Sequence, residues 1–160
     1  METLDKLGAA LNKILTILGG VALLALMLLA TGNVTLRIFH APFRGAYEVV
    51  GFLGAVVIAF ALGFTQKRKD HIVVDILTEK FSKPVNRVLD AFNYFITMVF
   101  FGIVSWQIFV WGIKIWRVGE LSETLKIIFY PFVLSVGFGF AVLSLTLLND
   151  LLKTLSPRKE

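Results

Sequence analysis

The sequence predicts an all-α integral membrane protein, with four transmembrane helices, an amphipathic interfacial helix between helices two and three, and both termini in the cytoplasm. Three observations carry that expectation. The first is composition. Of 160 residues, 57% are hydrophobic, 17% are charged and 15 are Phe, whereas soluble domains average about 25% charged. A chain of this length and apolarity has too little polar surface to cover itself in water. The second is arrangement, because the apolar residues fall in four long uncharged blocks. The third is the placement of charge, which lies in the connections and mostly on one side. Cys is absent, so a disulfide scaffold is excluded, as are disordered and collagen-like classes. The length fits a single membrane domain, residues 1–160.

The blocks justify the spans in order. Uncharged residues run from Ile14 to Leu36, Val49 to Gln66, Ala91 to Ile113 and Ile127 to Asn149, lengths of 23, 18, 23 and 23. A hydrocarbon core of ~30 Å needs about 20 residues at ~1.5 Å each, so every block can cross. Lipid offers backbone N–H and C=O groups no partner, which makes helices the form they take. A β-barrel would show short alternating segments, and none of the blocks alternates.

The first block, about 14–36, exceeds the roughly 7–15 residues of a signal-peptide core. It reads as a retained signal anchor. The second, about 47–66, is the shortest, with Glu48 at one edge and Lys67, Arg68 and Lys69 at the other. The third covers about 91–113 and carries Trp111 near its far end, with Trp116 just beyond, at the level of an aromatic belt. Pro131 would break an interior turn of the fourth but suits the first turn of a helix. That span therefore begins near Tyr130 and covers about 130–152, leaving Ser122 to Ile128 as a membrane-surface segment.

The long connection between spans two and three is patterned. From about 70 to 83, His71, Asp75, Thr78 and Ser82 share one helical face, and Ile72, Val73, Val74, Ile76, Leu77 and Phe81 fill most of the rest. This predicts a helix lying in the membrane interface with its apolar side in the acyl boundary. The N-terminal tail, this connection and the C-terminal tail hold 11 Lys and Arg, against 5 in the other two connections. The positive-inside rule then places both termini in the cytoplasm. The net charge of +5 follows from this topology and from anionic lipid headgroups, and no basic module supports nucleic-acid binding.

Charged groups inside a membrane are costly and mark function. None of the four blocks contains Asp, Glu, Lys, Arg or His, so the embedded carboxylate that small four-helix multidrug exporters need is missing. A haem held by two His within the chain is excluded, because His40 and His71 lie in connections on opposite sides of the bilayer. Without Cys, thiolate metal sites and covalent haem attachment are excluded too. No cofactor and no enzymatic activity are expected.

Two other features stand out. Arg37 and Glu48 bracket the first external connection, either as an ion pair or as a snorkelling Arg and a solvated Glu. On helix two, Gly51, Ala55, Ala59 and Gly63 recur every four residues. Small residues permit close backbone approach where lipid supplies no hydrophobic force between helices. The stripe therefore docks on another helix, either a neighbour in the chain or a partner subunit.

The chain resembles the small membrane subunit (DctQ-like) of TRAP transporters, the tripartite ATP-independent periplasmic systems. Three patterns carry the resemblance: Asn33-Val34-x-x-Arg37 closing span one, followed by Pro42 and Glu48; Arg68-x-x-His71-Ile72-x-Val74-Asp75 opening the interfacial helix; and Gly119-x-x-Ser122-x-Thr124-Leu125 ahead of Tyr130-Pro131. A Trp is common in this family shortly before the glutamate, and Tyr47 stands in that region here. The resemblance implies a non-catalytic scaffold that binds the large membrane subunit. A periplasmic binding protein delivers a carboxylate-containing solute, and an ion gradient drives its uptake. It also implies a multi-pass protein of the bacterial or archaeal inner membrane, in contact with membrane lipids. Arg37 and Glu48 would stabilise the periplasmic hairpin or its contact with another subunit, and His71 and Asp75 would fix the interfacial helix. An autonomous homo-oligomeric transporter or channel is the alternative; it calls for a pore-lining polar stripe, and the spans show only scattered Ser, Thr, Asn and Gln.

Overall fold

The computed structural model describes residues 2–41, 43–68 and 83–156. Four helices carry nearly all of them: α1 (Glu2–Ile38), α2 (Ala46–Arg68), α3 (Lys83–Val118) and α4 (Tyr130–Leu155). Each is long and apolar enough to cross a membrane. Among the described residues there is no strand, only an isolated antiparallel bridge between Leu121 and Ile128. The expected interfacial helix lies outside the described residues, with His71 and Asp75, except that Lys83 begins α3.

Each helix holds all or most of its uncharged block, α1 and α3 run well beyond theirs, and the ends follow from local chemistry. With 37 and 36 residues, α1 and α3 each extend about 55 Å at 1.5 Å per residue. Both exceed the hydrocarbon thickness, so their polar ends project beyond it. α1 closes in a Schellman motif, in which the Ala41 N–H reaches Leu36 O at 3.0 Å and the His40 N–H reaches Arg37 O at 3.1 Å. His40 adopts the left-handed conformation this cap requires, at φ 56°, in a place glycine usually fills. α3 ends the same way with glycine in that place: Gly119 has φ +70° and the Glu120 N–H returns to Ile115 O at 3.2 Å. Pro131 lies in the first turn of α4, where its missing N–H costs no helical bond.

α4 is the hub of the bundle. It packs against α1, α2 and α3, whereas α1 otherwise lies on α2, and α3 has its main packing on α4. The buried cluster joins Leu15 of α1, Val56, Ala59 and Phe60 of α2, and Val142 of α4. Gly139 permits a close approach of the α4 and α2 backbones, since a Cβ there would come within 2.8 Å of the Ala59 carbonyl oxygen. Toward one end Phe52 stacks on Phe129 and Phe132, with ring centroids 5.7 and 5.2 Å apart. The α3–α4 seam holds Phe101 on Phe140 and two hydroxyl bonds, from Ser105 to Gly137 O at 2.9 Å and from Ser144 to Met98 O at 3.1 Å. Much of α1 and α3 remains uncovered, including Leu28, Phe92 and Trp106.

Candidate functional site

At one end of the bundle, the first-turn carboxylate of α2 holds the 119–129 connection. Glu48 stands where the helix N-terminus favours negative charge. Its two oxygens accept the backbone N–H groups of Thr124, at 2.5 Å, and Leu125, at 3.1 Å. The 119–129 connection is shaped to present those donors. Ser122, which is buried, donates its N–H to Ile127 O at 2.9 Å and accepts the Ile127 N–H on its hydroxyl at 3.2 Å. Lys126 turns the chain at φ 54°. The Leu125 side chain then fills the space over Gly45, where any Cβ would overlap it.

Asn33 accepts the Phe43 N–H on its side-chain oxygen at 2.9 Å, tying the 39–45 connection back to α1. Arg37 is exposed in the last turn of α1. Among the described residues no ion pair joins it to Glu48, whose oxygens are instead bonded to the other connection. The sequence marked Glu48 and the Gly119–Leu125 pattern separately, and the structure brings them together. Backbone donors have no side-chain signature, so the pairing itself was not legible.

At the opposite end, each of the other helices sends a polar side chain to α4. Asn12 of α1, 3% exposed, donates to Thr146 Oγ1 and to Gly8 O, both at 2.9 Å. Its Oδ1 occupies the space where a Cβ on Gly63 of α2 would sit and takes no conventional hydrogen bond. The contact is thus a close Cα–H approach, a weak polar interaction. Gln66 of α2 donates to Asp150 Oδ2 at 2.8 Å. Asp5 of α1 pairs with Lys153 and accepts from Asn149, both at 2.5 Å. Arg87 of α3 donates to the carbonyls of Thr154 and Ser156, at 2.5 and 2.9 Å. Asp5 and Asn12 precede the first uncharged block and Asp150 follows the fourth, so attention confined to the blocks misses this layer.

A cavity of about 1040 Å³ opens beside it, between α1 and α3 and floored by α4. Among the described residues, no group of three or more His, Cys, Asp or Glu is placed to hold a metal ion.

The α2 stripe divides. Ala59 and Gly63 are buried against α4 and α1, whereas Gly51 and Ala55 are exposed, with open space where a Gly51 side chain would be. Each four-residue step advances about 40° beyond a full turn. Twelve residues therefore carry the stripe about a third of the way around the helix.

The family model of the tripartite ATP-independent periplasmic transporters, DctQ component, matches residues 26–156. That range holds all of α2, α3 and α4, the Glu48-bound connection and the far part of α1. No curated protein and no solved structure gives a match. With four membrane-length helices and the family match over most of its length, the chain belongs to the DctQ family, a membrane component of tripartite ATP-independent periplasmic transporters.

Proposed function

We propose that this chain is the small transmembrane scaffold of its transporter. It binds the large membrane subunit and supports ion-gradient-driven uptake of a carboxylate-containing solute delivered by a periplasmic binding protein. Both termini face the cytoplasm of a bacterium or archaeon, as the excess of Lys and Arg at that end directs. The 39–45 connection and the Glu48-bound 119–129 connection then face the periplasm, where the binding protein arrives.

The observation that carries the scaffold reading is how the polar groups at the helix contacts are used. Asn12, Gln66, Ser105 and Ser144 each bond across to another helix, and Thr146 back-bonds to Val142 O. Such bonds fix helix register. They commit these groups to contacts between or within helices, whereas the exposed small positions Gly51 and Ala55 remain open for contact with another helix. Carboxylate selection and ion coupling then belong to the partner subunits.

Reconstitution tests this. Vesicles holding this chain and the large subunit, supplied with the binding protein and a sodium gradient, are expected to accumulate solute, and vesicles holding this chain alone are not. Ion-dependent uptake by the chain alone would overturn the scaffold reading.

A further inference from the structure

None of the helix-tying contacts accounts for the groove between α1 and α3. Its walls change character along the bundle axis. Deeper in, they are mainly apolar, with Leu11, Val142, Leu145 and Leu148 beside Tyr94 and the mutually bonded Asn12 and Thr146. At the end where α1 starts and α4 finishes, the lining holds three cations, Lys67, Arg87 and Lys153, and three carboxylates, Asp5, Asp90 and Asp150. Most of these are engaged. Arg87 is bonded to α4 carbonyls, Lys153 pairs with Asp5, and Asp150 accepts from Gln66. Lys67 and Asp90, one charge of each sign, make no hydrogen bond or ion pair among the described residues.

A groove with apolar walls that carries, among the described residues, one charge of each sign without a partner at its end complements a zwitterionic lipid. We infer that it binds a phospholipid with a primary-ammonium headgroup, of the phosphatidylethanolamine class. The acyl chains lie along Leu11, Leu145 and Leu148, the phosphate meets Lys67, and the ammonium donates to Asp90. Lysine binds phosphate as a compact point charge, and an ammonium-to-carboxylate hydrogen bond is charge-assisted. A choline headgroup has no N–H to donate to Asp90. An anionic headgroup gains nothing from Asp90 and meets the further carboxylates of Asp5 and Asp150. Charged pockets between transmembrane helices are a recurrent headgroup site. The inference rests on the chain lying in a membrane and not on its role as a scaffold.

The test is native mass spectrometry of the full chain in mild detergent. The chain is equilibrated with equal amounts of phosphatidylethanolamine, phosphatidylcholine and phosphatidylglycerol of matched acyl chains. Preferential retention of phosphatidylethanolamine is expected. Lys67→Gln is expected to lower that retention about fivefold, and Asp90→Asn to remove the preference over phosphatidylcholine. Both side chains are exposed, so neither change disturbs packing, and Lys114→Gln at the opposite end is expected to change nothing. Excess water-soluble glycerophosphoethanolamine is expected not to displace the lipid. Equal retention of the three lipids, a preference for phosphatidylglycerol, a preference that survives Asp90→Asn, or displacement by the soluble headgroup would each overturn the proposal.

Discussion

The carboxylate of Glu48 joins segments 76 residues apart, and both of its oxygens are occupied by main-chain donors. Gln keeps one acceptor but points an NH2 group at a backbone N–H, so one of the two bonds becomes a repulsion. Glu48→Gln is therefore expected to loosen the 119–129 connection without unfolding the helices. Limited trypsin digestion reads this at exposed Lys126: cleavage several-fold faster than in the unchanged protein, with helical content by circular dichroism the same. Unchanged cleavage would mean that the Leu121–Ile128 bridge and the seat of Leu125 on Gly45 hold the connection unaided. Sequence reasoning reached Glu48 as an edge residue and an ion-pair candidate. It stopped there because its partners are peptide groups, which every residue but proline possesses.

Among the elements, α2 was the most completely legible and the most easily misread. Its expected limits are Glu48 on one side and the basic triplet on the other, and the helix runs from Ala46 to Arg68. The repeat of small residues was equally plain, yet a four-residue period outruns the helical repeat of 3.6 residues, so the stripe cannot keep to one face. Its lower half is enclosed by Gly139 and Asn12. There the fit between Gly63 and Asn12 makes a sharp prediction. Gly63→Ala drives a methyl into Asn12 Oδ1 and is expected to cost about 1–3 kcal/mol, the range for overpacking a filled interior. Asn12→Ala loses one interhelical bond, worth about 0.6–1.7 kcal/mol in membranes. It also empties the space the methyl needs. The double variant is thus expected to be more stable than the sum of the single losses, a coupling that thermal unfolding in detergent measures through a double-mutant cycle. Strict additivity would show that the two residues do not share that space.

At the scale of the whole molecule, the four membrane-length helices and the absence of charge inside their uncharged blocks could be read from the sequence. In contrast, α1 starts at Glu2 and α3 covers Lys83–Val118, well outside the expected 14–36 and 91–113. The packing order could not be read. All four blocks are apolar around their full circumference, so nothing in the pattern says which faces meet. The choice of α4 as hub depends on Gly139 and on polar contacts both inside the blocks, as at Ser105 and Ser144, and at their ends, as at Asn12 and Asp150. The result is an unevenly covered bundle, with α1 and α3 largely bare and the upper half of the α2 stripe facing outward. An outward small-residue face has no use against fluid lipid, but it lets a second helix approach closely. Gly51→Leu and Ala55→Leu are therefore expected to leave the isolated chain within about 0.5 kcal/mol of its original stability, as for substitutions away from packed features. In contrast, they should weaken capture of the large subunit about tenfold or more, a loss of at least ~1.4 kcal/mol in binding. Ala25→Leu, on an exposed position of α1, is the matched control, with capture unchanged. Co-purification from detergent, scored beside the melting temperature of each variant alone, separates the outcomes. If Gly51→Leu and Ala55→Leu bind as well as the control, the outward half of the stripe faces lipid, and the large subunit is held by another surface.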